Sequence, residues 1–207
     1  MEVEILKIAP ISGTFGEHIF SMSGDVLWVK FLDSDYLEWV GTFDLGDSYN
    51  SSFVHLEPNS LSQCLVVAGG QGYFVSINER KVLAKTKWSS IDSAIYNTAE
   101  NCWVVSNGLY LGILKNMELE WSSERISLDG ITFTSQHGEV VAGLLNDLTE
   151  QGGPFEFNIK SREIIAPWLF HEAANKSLQH RSASLHWTVF KSRFYGLLRK
   201  IFHKTTT

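Results

Sequence analysis

Val66-Val67-Ala68-Gly69 and Val140-Val141-Ala142-Gly143 are the same tetrapeptide, set 74 residues apart. A related apolar run, Cys102-Trp103-Val104-Val105-Ser106, lies about midway between them, and Val26-Leu27-Trp28-Val29 precedes all three at a similar interval. A short apolar run bounded by turn residues reads as a strand. Four such runs, spaced by about 36 to 40 residues, point to one supersecondary unit used repeatedly. Such an architecture does not by itself specify an activity.

The order of strands and turns around each run is what supports repetition. In the second unit, strands are expected at Ser52–Leu56, Gln63–Ala68, Tyr73–Ile77 and Lys81–Thr86, with turns at Pro58-Asn59-Ser60, Gly69–Gly72 and Asn78-Glu79-Arg80. The third unit gives Ser93–Asn97, Cys102–Ser106, Leu109–Leu114 and Met117–Ser122. Its Asn107-Gly108 between two apolar runs is a strong hairpin signal, because both central residues of that turn favour positive φ. The fourth unit repeats the order with Ile131–Thr134, Glu139–Leu144, Phe155–Ile159 and Glu163–Ile165, and has a longer loop at Asn146–Pro154. The first unit is less regular, with strands expected at Glu17–Met22, Asp25–Phe31 and Tyr36–Thr42.

Repeated units of four short antiparallel strands resemble the blades of a β-propeller. The resemblance covers roughly residues 14 to 168 and rests on pattern, since the Gly-His and Trp-Asp signatures of WD-repeat blades are absent. The chain is also similar to small bacterial propeller-like proteins, a resemblance that implies no activity. The expected fold is therefore mainly β: four-stranded antiparallel repeats in a propeller-like array, followed by a C-terminal amphipathic α-helix. The alternative is a β-sandwich whose hairpins share a common tetrapeptide by chance.

The 207 residues, 44% of them hydrophobic, suffice for a substantial core. Trp28, Trp88, Trp103 and Trp121 lie in or beside expected strands, where packing is their ordinary use. No apolar run reaches the roughly 18 residues of a membrane span, and Met1-Glu2-Val3-Glu4 lacks the basic and apolar regions of a signal peptide. The expected location is cytoplasmic, with Cys64 and Cys102 as reduced, structural thiols at equivalent positions of adjacent units.

Charge divides the chain. Residues 1–160 carry 9 Lys and Arg against 21 Asp and Glu, while residues 161–207 carry 8 against 2. An acidic β domain (1–168) and a basic helical segment (169–207) are the expected divisions. In the second, Trp187, Phe190, Phe194, Leu197, Leu198 and Ile201 share one helical face, and Arg193, Arg199, Lys200 and Lys204 lie elsewhere. That segment fits either docking on the β domain or peripheral contact with an anionic membrane. The acidic body disfavours nucleic acid, whose phosphates attract Lys and Arg, and suits a basic protein partner.

Catalytic and metal motifs are lacking, so no catalytic residue, metal site or cofactor is assigned. The histidines form no His-Glu-x-x-His pattern, and His171, His180 and His186 read as surface residues of the tail. Asp33-Ser34-Asp35 lacks the glycine and terminal glutamate of a calcium loop. Gly69–Gly72 joins two strands and offers no helix terminus to an anion. The leading expectation is a non-enzymatic protein-binding module, in its most concrete form an immunity-type inhibitor of a basic toxin. Its candidate contacts are Asp33, Asp35, Glu38, Asp44 and Asp47, interleaved with Tyr36, Trp39 and Tyr49. The alternatives are a hydrolase or lyase with a loop-built pocket, and a peripheral membrane scaffold.

Overall fold

The computed structural model describes residues 1–22, 24–48, 51–146 and 153–166. Among them, β-branched and aromatic runs separated by glycine, asparagine and serine turns form sixteen strands in four four-stranded sheets. The first sheet contains β1 (Glu2–Leu6), β2 (Gly16–Ile19), β3 (Val26–Leu32) and β4 (Glu38–Asp44), in the order β1-β3-β4-β2. The second is a plain meander of β5 (Phe53–Glu57), β6 (Ser60–Ala68), β7 (Gln71–Ser76) and β8 (Lys81–Lys85). The third, β9 (Ser93–Asn97) to β12 (Glu118–Ser122) through β10 (Cys102–Ser106) and β11 (Leu111–Lys115), follows the same plan. So does the fourth, β13 (Ile131–His137), β14 (Val140–Leu145), β15 (Gly153–Asn158) and β16 (Glu163–Ile165). The fold is mainly β and repeats in chain order. Four sheets, rather than the two of a sandwich, carry it.

Alternation along the inner strands explains why the apolar runs are continuous. Cys64, Val66, Ala68, Tyr73 and Val75 face Val29, Phe31, Trp39 and Phe43 of the first sheet. Their neighbours Leu65, Val67 and Phe74 point the other way, onto Tyr96, Trp103, Val105 and Leu114 of the third. A strand clad on both faces needs apolar residues at every position, since successive side chains leave opposite faces. The third and fourth sheets meet at Trp121 and Phe157, whose rings stack with centroids 5.1 Å apart.

Two expectations need correction. The first unit includes a strand at its start, β1, and its outermost strand β2 runs parallel to β4, in register from Gly16↔Trp39 to Ile19↔Thr42. The chain enters this position before it forms β3, crossing from one edge of the sheet to the other through residues 7–15, so the antiparallel meander of the other units is not available to it. Asn107-Gly108 also does not close a two-residue hairpin. The Asn107 carboxamide oxygen accepts the backbone N–H groups of Leu109 (3.1 Å) and Tyr110 (2.9 Å), so the turn widens to four residues and β11 starts at Leu111. The expected C-terminal helix lies outside the described residues. Among these, no helix is long and apolar enough to cross a membrane.

Candidate functional site

Asp33, Asp35, Tyr36 and Glu38 lie in or beside the loop of the β3–β4 hairpin, whose five residues are arranged around one aspartate. The Asp33 Oδ1 accepts from the backbone N–H of Asp35 (3.0 Å) and of Leu37 (2.9 Å). Asp33 N–H donates to the Leu37 carbonyl (3.1 Å), and Tyr36 N–H to the Asp33 carbonyl (3.2 Å). Such a carboxylate-centred turn leaves few backbone groups unpaired and fixes the loop. The second sheet clamps it from outside: Arg80 donates to Asp33 Oδ2 at 2.9 Å, and Ser34 N–H donates to Asn78 Oδ1 at 3.2 Å. The Leu37 N–H and the Arg80 guanidinium together hold the Asp33 carboxyl below the usual carboxylate range.

At the tip of this fixed loop, Tyr36 sits at φ 61° with its side chain 84% exposed, and Leu37 is 54% exposed. Few tyrosines occupy left-handed backbone, which is sterically costly for a residue with a Cβ. Asp35 and Glu38 are exposed on either side. Glu38 also reaches Lys30 (3.5 Å), which lies 3.2 Å from Glu4, and the bond to Glu4 is the chief reason the Lys30 pKa is raised. A groove of about 440 Å³ lies there, lined by Val3, Leu32, Leu56 and Met1 together with Glu2, Glu4, Glu38 and Lys30.

The remaining expected contacts divide sharply. Trp39 is fully enclosed between the first two sheets, stacked on Phe31 at 4.1 Å, with its Nε1–H donating to the Ile77 carbonyl at 3.1 Å. It supports the hairpin from below and offers no surface. Asp33, 5% exposed, is likewise spent on the loop. Asp44 lies at the other end of β4, where its carboxylate accepts Met22 N–H at 3.0 Å. Asp47 is exposed but accepts from Ser89 Oγ at 2.5 Å, tying the connection between the first two sheets to the strand-free segment before β9. Tyr49 lies outside the described residues. The hairpin thus brings together Asp35, Tyr36 and Glu38, with Leu37 added, and keeps Asp44 and Asp47 apart from them.

Several contributors carry no signal in the sequence. Ile8, Ile11, Ile19 and Met22 are 74% to 98% exposed, although apolar residues beside a strand ordinarily read as core. Arg80 is 47 residues from Asp33, and nothing local marks the pair. Cys64 and Cys102 are both free and buried, but Cys64 faces the first sheet, whereas Cys102 lies on the face of β10 opposite to Trp103. Burial pushes their thiols up to about 12 and about 11. No group of three or more His, Cys, Asp or Glu side chains among the described residues is arranged to hold a metal ion. Compared with known proteins, the sequence matches no protein family and no curated protein.

Proposed function

We propose that this protein is a non-enzymatic binding module, with four sheets in a propeller-like array, whose β3–β4 hairpin engages a basic protein. The array is supported by the face-to-face packing of successive sheets and by the way first strands run side by side, β1 along β5 and β9 along β13. The observation that carries the functional reading is a coincidence of two properties in one unit. Residues 1–48 hold nine carboxylates against two lysines. The same unit holds seven of the nine large apolar side chains that are exposed among the described residues, and two of them, Tyr36 and Leu37, are at the hairpin tip. Acidic charge alone is common on solvated surfaces. Acidic charge around exposed aromatic and aliphatic side chains on a braced loop is what a binding surface for a cationic partner needs.

A toxin inhibited by masking its basic active surface, as an immunity protein does, is the most specific form of this proposal. The test is recovery of tagged full-length protein from nuclease-treated lysate at low and moderate salt. A stoichiometric basic protein released as salt rises supports the reading. Asp35→Lys with Glu38→Lys should then slow association and flatten its salt dependence, because rim charges act mainly through the encounter rate. Unchanged binding by this double variant removes the hairpin from consideration.

A further inference from the structure

We propose a second interaction site on the same sheet, separate from the hairpin: the β2 edge, which adds an extended cationic strand from a partner. The outer edges of the other three sheets are each protected. An unpaired edge is a template for another strand, and natural edges are blunted by lysines, bulges or extreme shortness. β8 carries Lys81 and Lys85 and a register break opposite Phe74 and Val75. β12 meets a break between Ile113 and Leu114, and β16 has three residues. β2, four residues long, has no break and no lysine, and its pairing to β4 extends one residue further through Phe20 N–H, which donates to the Thr42 carbonyl at 3.1 Å. No further strand pairs with it among the described residues.

The two faces of β2 differ in a way that defines the occupant. His18 and Phe20 turn inward onto Trp39, with ring centroids 5.3 Å and 6.3 Å away. Glu17 and Ile19, two residues apart and so on the opposite face, are exposed, Ile19 by 74%. Between Ile8 and Val29 the sequence carries no Lys or Arg, and on β2 itself Glu17 supplies negative charge, its carboxylate also accepting the Gly13 N–H at 3.2 Å. A strand paired here would place side chains directly opposite Glu17 and Ile19, where opposite charges and apolar pairs are favoured. The occupant is therefore an extended segment with a cationic and an apolar residue two positions apart on one face. Main-chain pairing would supply affinity, and these two side chains the selectivity.

The experiment uses ¹⁵N-labelled full-length protein and the acetylated, amidated peptide Thr-Lys-Thr-Val-Thr-Lys-Thr-Val. Expected are amide shift changes and slowed hydrogen exchange at residues 16–20. The effect should vanish when alternate peptide nitrogens are methylated, and should weaken about fivefold when Glu replaces Lys. Ile19→Lys, at an exposed position, should abolish it by placing a charge on the edge. No change at residues 16–20, or an equal response to the methylated peptide, would overturn the proposal. So would a concentration-dependent dimer in sedimentation that Ile19→Lys abolishes, since the occupant would then be a second copy. A basic partner that protects residues 33–38 and leaves residues 16–20 untouched would end this proposal while the hairpin reading stands.

Discussion

Arg80 donates to Asp33 at 2.9 Å from the turn between β7 and β8, joining the second sheet to the first. The equivalent turn of the fourth sheet repeats the device: Arg162 donates to Glu120 on β12 and lies over the Trp121 ring. Both arginines sit in left-handed backbone, at φ 52° and 63°. In the third sheet the same turn holds Asn116 and Met117, also at positive φ, and Met117 packs into the core shared with the second sheet. In each case the turn after the third strand reaches back to the preceding sheet. Whether the link is ionic or apolar varies, and the architecture is kept.

The Asp33 carboxylate should make stability fall in acid. Its pKa in the folded protein is depressed, so its contribution is present above the unfolded carboxylate value of roughly 3.9 and is lost as pH falls through the folded value. Asp33→Asn should therefore lower the urea midpoint at neutral pH, and the gap to the parent protein should narrow on acidification. Arg80→Gln should lose only the share of that pH dependence owed to the ion pair, leaving the share owed to the Leu37 and Asp35 N–H groups. The two changes should be non-additive because they have the ion pair in common. Urea titrations of parent, single and double variants at neutral and acid pH check this. A gap independent of pH would contradict it.

The tetrapeptide that marks the repeat in the sequence is not structurally equivalent in its two copies. In β6 it ends the strand, and Gly69 turns the chain at φ 52°; in β14 it begins the strand, and Gly143 lies between Phe133 and Phe155. The phase differs too. Val66 faces the preceding sheet, whereas in β14 it is Val141, opposite Phe157, that does so. Strands and turns were legible because apolar runs and turn residues are local signals. The parallel β2 was not, because strand direction in a sheet is decided by where the chain crosses, not by composition. The hairpin was legible as an acidic and aromatic stretch, but its division was hidden. Glu38 and Trp39 are adjacent and have opposite fates, and only the packed second sheet determines which is covered.

Gly143→Ala should test that difference directly. A Cβ at Gly143 would lie 2.2 Å from the Thr132 carbonyl oxygen and 2.6 Å from the Phe155 ring, and the first of these is backbone and cannot move aside cheaply. Overpacking of this kind costs about 1–3 kcal/mol or more. At Gly138, in the β13–β14 turn, a Cβ meets nothing within 4 Å and the cost comes only from φ 55°. Gly138→Ala should then cost about 1 kcal/mol, and Gly138→Asn less. Denaturant midpoints that rank Gly138→Ala as the worse change would refute the packing shown here.

The two thiols should be silent in the native protein. Only the thiolate reacts, and burial raises Cys64 to about 12 and Cys102 to about 11. At neutral pH, Ellman's reagent should therefore titrate both only after denaturant is added, in one transition with the loss of β structure. Rapid labelling of either cysteine without denaturant would show that its sheet face opens.

The proposed contact at Tyr36 would set stability and binding against each other. Its left-handed backbone costs roughly 1–2 kcal/mol for a residue with a Cβ, a cost asparagine bears more lightly. Its ring, 84% exposed, returns little of that through packing in the isolated protein. Strain kept where no internal contact repays it is a feature of functional positions. Tyr36→Asn should accordingly raise stability by up to about 1 kcal/mol and weaken capture of the proposed basic partner, since an exposed aromatic on a braced loop is a rigid anchor. Tyr36→Phe should keep the strain and most of the binding. Thermal melts and partner affinity measured on the same two variants separate the effects. If Tyr36→Asn gains stability and binds as before, the hairpin tip is not the contact, and the exposed apolar residues of β2 and its flanks become the surface to examine.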